Sequence, residues 1–196
     1  MQRLVVQAAM SAMSATSATT EAPPPPPRVL IIGTHGAGKT SLGRSLAQAL
    51  GLPHASVGEV TRAANARGVL PRDGGAHFSR DEAAAMLAAA LPEQGGCVMD
   101  GYPPTPDAAG GRWSVALHLQ LSDETAAARI AARAERALDG DAAAARERLA
   151  NWHARCASVL DALHAAGVRV VNIAAVARAD DVLRAARLAC GACAVA

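Results

Sequence analysis

The chain has 196 residues, enough for one substantial hydrophobic core but short for two. A formal charge of +2, with arginines scattered along the sequence, excludes the strongly basic face of a nucleic-acid binder, and no apolar run approaches the length of a membrane span. Hydrophobic residues make up 51% of the chain but aromatic ones only 2%, so core volume has to come from Val, Leu and Ile supported by alanine-rich helices.

Residues 1–27, "MQRLVVQAAMSAMSATSATTEAPPPPP", end in five prolines that enter neither a helix nor a sheet ladder, and they are expected to form a disordered extension. This extension reads either as a polyproline spacer or as an organellar transit peptide whose single cation is Arg3. The folded unit is expected over residues 28–190, with 191–196 as a tail. It opens with "RVLIIG", a β-branched run that stops at glycine, followed by a Gly-rich turn and the helical spacing of "TSLGRSLAQALG". Next come a short strand around "HASV", a helical stretch through "EVTRAANARG", a capped helix "SRDEAAAMLAAAL" and a buried strand "GGCVMD" that ends on an acid. The pattern continues with the strand "WSVALHLQL", two helices over "DETAAARIAARAERA" and "AAAARERLANWHARCASVLDALHAAG", the strand "VRVVNI" and a last helix. Strands alternating with helices predict an α/β fold of three layers, a five-stranded parallel sheet with helices on both faces and ligands at the carboxyl ends of the strands.

Within the first turn, "GTHGAGKT" (Gly33 to Thr40) satisfies G-x-x-x-x-G-K-[ST] between a predicted strand and a predicted helix, the context that the P-loop pattern requires. Its glycines, Gly33, Gly36 and Gly38, allow successive backbone N–H groups to turn inward around phosphate oxygens, and the helix start adds its positive dipole end. Lys39 is the only lysine in the chain, against 18 arginines. A compact ammonium on a flexible stem bridges β- and γ-phosphates where a planar guanidinium would not fit, and Thr40 offers a hydroxyl to Mg²⁺. Asp100, at the end of its strand, is the second candidate to hold Mg²⁺, through water. A P-loop alone leaves GTPases, ATPases and small-molecule kinases open. The base-reading Asn-Lys-x-Asp element of GTPases is excluded because the single lysine is already used.

Four further segments, in order, resemble adenylate kinases and related nucleoside monophosphate kinases: "SVGEVTR" (Ser56 to Arg62), "MDGYPPT" (Met99 to Thr105), "LSDETAAARIAAR" and "RERLANWHARCASVLDALHAAG". The resemblance spans about residues 28–188. The short segment between Arg62 and Asp100, the GKT form of the loop and "VGEV" are similar to the compact branch that includes a nuclear adenylate kinase, whereas "DGYP" and the helix after the lid resemble the ordinary enzymes. The resemblance implies ATP and Mg²⁺ as cofactors, AMP as the foremost acceptor, a monomer, and a short lid near residues 133–145 without the paired-cysteine zinc form. It implies nucleotide contacts from Gly33, Gly36, Ala37, Gly38, Lys39, Thr40, Ser41 and Arg129, and an acceptor-phosphate contact from Arg62. Transfer of a phosphoryl group needs cations on several sides, which nominates Lys39, Arg62, Arg133, Arg136 and Arg148 as catalytic. Arg129 and Arg133 are four apart, hence on one helical face.

At two places where the family usually carries an arginine and a glutamine for the acceptor, this chain has Pro104 and Ala108. Two other readings stay open, a small-metabolite kinase of shikimate or gluconate type and an ATP-binding assembly factor with ATPase activity. His35 lies inside the loop; His54, His77, His118, His153 and His164 show no ligand spacing and read as structural or surface residues. Trp113 and Trp152 read as core or lid packing. Cys97, Cys156, Cys190 and Cys193 lack the spacing of a secreted disulfide framework, and a reducing intracellular compartment, the cytoplasm foremost, is expected, with an organelle or the nucleus as alternatives. "CGAC" reads as a redox pair, as half of a zinc site or as part of an untidy tail.

Overall fold

A computed structural model describes residues 25–71, 78–101, 113–133 and 142–191. Five strands run in one parallel sheet: β1 (Arg28–Gly33), β2 (His54–Ser56), β3 (Cys97–Asp100), β4 (Val115–Gln120) and β5 (Arg169–Ala174), in the order β2-β3-β1-β4-β5. Six helices connect and cover them: α1 (Lys39–Leu50), α2 (Val57–Ala66), α3 (Arg80–Ala90), α4 (Asp123–Arg133), α5 (Ala142–Ala165) and α6 (Ala179–Ala189). The three-layer α/β architecture read from the strand and helix alternation is the one observed.

Alternation along β1 explains the layers. Val29 and Ile31 point into one core with Leu42 and Leu46 of α1 and Ala186 of α6. Leu30 and Ile32 point into the other, with Leu87 of α3 and Val159 and Leu163 of α5. All four β1 side chains are fully buried. Each such residue contributes about 1.5–3 kcal/mol of transfer free energy. Trp113 is buried as expected, with the Arg28 guanidinium 5.6 Å from the centre of its ring.

Local signals set the helix ends. The α3 start is a reciprocal capping box: Glu82 N–H donates to Ser79 Oγ at 3.3 Å, and Ser79 N–H donates to Glu82 Oε2 at 2.8 Å. Helix α1 stops at Gly51, whose φ of 64° lies in the left-handed region, and Leu52 N–H closes the turn on the Ala47 carbonyl at 2.9 Å. In the central part of the sheet the register brings the strand ends level: Asp100 pairs with Ile31 on one side and with Ser56 on the other, and Gly33 pairs with Leu119. The carboxyl ends of β1, β2 and β3 therefore open onto one place.

Candidate functional site

The loop after β1 is shaped by close approach. Gly36 has φ 81°, and a Cβ there would lie 2.7 Å from the Ala126 carbonyl oxygen of α4, so both conformation and space require glycine. Helix α1 begins at Lys39 after Gly38, and no side chain caps it. Its first N–H groups and dipole end are thus available to an anion in the loop. The Lys39 ammonium folds back over this cradle and donates to the carbonyls of Gly33 (2.9 Å) and Thr34 (2.8 Å).

Beside the loop, Asp100 is buried at the end of β3 and gathers three donors. Thr40 Oγ1 and Ser56 Oγ each donate to its Oδ1 at 3.0 Å, while His54 Nε2 is 2.8 Å from Oδ2. Space for this cluster comes from Gly43 on α1: a Cβ at that position would meet His54 Nε2 at 2.5 Å and Asp100 Oδ2 at 3.3 Å. The hydroxyl of Thr40 beside a buried carboxylate suits Mg²⁺, which keeps most of its waters and takes few protein ligands. Among the described residues no group of three or more His, Cys, Asp or Glu forms a metal cage, so any Mg²⁺ held here would be bound by Thr40 and Asp100 together with the nucleotide.

A cavity of about 530 Å³ opens over these groups. His35, Lys39 and Thr40 line it from the loop, Asp100 and Gly101 from β3 and its exit. Val57, Gly58 and Arg62 enter from α2, and Arg148, Asn151, Trp152 and Arg155 from α5. On the other side of the loop lies a second cavity of about 280 Å³, lined by Ala37, Ser41 and Arg129, by Ala177 of the β5–α6 passage and by Asp180 of α6. Gly38 lines both cavities, so the loop stands between them.

Lys39, Thr40, Asp100, Arg62 and Arg148 are thereby brought to one cavity, as are Gly33, Gly36 and Gly38. Arg129, Ala37 and Ser41 are brought to the second. Arg133 is the last residue of α4, one turn beyond Arg129. Arg136, most of the expected lid, Pro104, Ala108 and the "YPPT" part of the Asp-Gly-aromatic-Pro segment lie outside the described residues. His54, Asn151 and Arg155 reach the site without having been singled out as site residues in the sequence. Arg155 had a signal nonetheless, since it stands seven positions after Arg148, two turns along the same helical face. His54 had none, because its partner is 46 residues away.

Trp152 both packs and faces the cavity. Its ring centre lies 5.9 Å from that of His118 on β4, tilted by 56°. His118 is buried, and burial pushes its pKa below the usual 6.5, against a hydrogen bond between Nδ1 and Asn172 Oδ1 at 3.1 Å that favours the charged form. The neutral ring then donates through Nδ1 and offers Nε2 to the Cys156 thiol, 3.9 Å away and kept protonated by burial. Cys190 is likewise pushed up to about 11 by burial, far from the reactive thiolate range; Cys193 lies outside the described residues.

Residues 29–150, more than half of the chain, match the family model for the AAA domain. The chain belongs to this family. The AAA-domain match covers β1, the phosphate loop and α1, and extends through the first part of α5. It is a P-loop NTPase-type family that includes nucleotide and shikimate-type kinases, and it makes this chain a P-loop nucleotide-binding protein of the kinase or ATPase type. No curated protein matches the chain. Among the described residues, no helix is long and apolar enough to cross a membrane.

Proposed function

We propose that this AAA-domain chain is an ATP-dependent nucleoside monophosphate kinase that transfers the γ-phosphoryl group of ATP to AMP, giving two ADP. The observation that supports this reading is the single cavity into which Lys39 and Thr40 of the loop, Arg62 of α2 and Arg148 of α5 all project. Cations brought to one cavity by the loop, α2 and α5 suit a reaction in which two polyanions meet and charge spreads over the group in flight.

The acceptor's phosphate is already ionised near neutral pH, since its second pKa is about 6. One of its oxygens attacks the γ-phosphorus, the bond to the β–γ bridging oxygen breaks, and ADP leaves with that electron pair. No general base is required. The loop N–H groups and Lys39 hold the donor's phosphates; Arg62 and Arg148 hold the acceptor and meet the charge on the transferred group. Bound Mg²⁺ would supply further charge neutralisation beside Thr40 and Asp100. The second cavity, with Arg129 at its edge, suits the nucleoside end of ATP. The test is a steady-state assay with ATP and each of AMP, GMP, CMP and UMP. AMP-dependent ADP formation is expected; failure of all four to accept phosphate would remove the reading.

A further inference from the structure

The cationic wall on α5 goes further than the phosphate donor needs. Arg148, Asn151, Trp152 and Arg155 are spaced i, i+3, i+4 and i+7, so they form one stripe along the helix. At ~1.5 Å per residue the stripe is about 10 Å long, the scale of a small nucleotide. Arg62 of α2 lines the same cavity, and Asp100 is the only acid among the described residues that line it. The stripe thus offers a flat aromatic face, a planar amide and two forked cations in one line.

The aromatic face is held in place. The His118 ring packs at a tilt of 56° with its centre 5.9 Å from that of Trp152, and is itself tied to Asn172 at 3.1 Å. A ring held by its neighbours loses little freedom when a second ring stacks on it from the cavity that it lines. Guanidinium groups bind phosphate oxygens through paired donors, which a polyol or a neutral acceptor would not require.

We propose that this face of α5 is the acceptor-recognition element: Arg155 binds the acceptor's phosphate together with Arg148, and Trp152 stacks on its base. Asn151 meets the polar edge of the bound acceptor. The inference rests on the reading of the chain as a nucleoside monophosphate kinase, and it assigns the acceptor class as a phosphomonoester that carries a flat heteroaromatic ring.

The experiment varies AMP at saturating MgATP. Arg155→Ala is expected to raise the KM for AMP about tenfold or more while the KM for ATP stays within about twofold, and Arg155→Lys is expected to recover part of the loss. The unchanged KM for ATP also reports that the variant is folded. In equilibrium titrations, Arg155→Ala weakens ribose 5-phosphate but not adenosine, and Trp152→Leu does the reverse. The fluorescence change on AMP binding disappears in Trp152→Phe, in which Trp113 remains. A wild-type chain that phosphorylates AMP while Arg155→Ala keeps the wild-type KM for it overturns the inference and leaves the kinase reading standing. A wild-type chain that phosphorylates no monophosphate overturns both.

Discussion

Asp100 can accept from Thr40, Ser56 and His54 at once only because position 43 has no side chain. A methyl there would stand 2.5 Å from His54 Nε2, and the imidazole would have to leave the carboxylate. Gly43→Ala is therefore expected to destabilise the fold by about 1.5–3 kcal/mol, the range for a lost hydrogen bond to a charged group, and to lower turnover as well. Denaturant unfolding measures the first effect. A variant with unchanged stability would show that the His54–Asp100 contact carries no weight. His118 makes a prediction of opposite character, about pH. Its folded-state pKa is held below 6.5 by burial, so as pH falls through 6.5 the unfolded chain takes up a proton that the folded chain refuses. This part of the stability is present above 6.5 and is lost on acidification. Unfolding free energy should fall more steeply between pH 7 and 5.5 in the wild type than in His118→Gln; equal slopes would mean that His118 titrates in the fold as it does in water.

At the scale of elements, short-range signals were sufficient wherever they were strong. The capping box at Ser79 was legible as a capped helix before "RDEAAAML", and Ser79→Ala should cost about 1 kcal/mol, readable as a lower denaturation midpoint with an unchanged slope. An unchanged midpoint would assign the helix start to packing alone. The β-branched runs in "RVLIIG" and "VRVVNI" and the glycine after α1 were equally plain, because periodicity and punctuation are local properties. Pairing is not local. That β3 inserts between β2 and β1, and that α1 and α6 share one face of the sheet while α3 and α5 share the other, depends on contacts between distant residues. The site divides in the same way. Lys39, Thr40 and Asp100 could be read from a motif and a strand end, whereas His54 becomes part of the site only when β2 and β3 lie side by side. Trp152 reads as packing from its sequence, and it does pack, but the same ring also forms a wall of the cavity.

At the scale of the whole molecule, the phosphate loop stands between two cavities, one lined by Arg129 and the β5–α6 passage and one lined by Arg62 and the α5 stripe. A donor nucleotide that follows the loop would have its reactive end in the larger cavity, beside Arg62, Arg148 and Arg155. This arrangement bears on the chain's lone lysine. Lys39 alone works inside the loop, among backbone groups too close for a guanidinium, while arginines carry the charge on the outer walls. The central claim is that the larger cavity holds a second substrate rather than water. Its most direct test is to follow the label from ATP carrying a radioactive γ-phosphate, with AMP and Mg²⁺ present. Label that appears in ADP, faster than in inorganic phosphate, is the predicted result. Label released only as inorganic phosphate, at a rate that AMP does not change, would contradict the account.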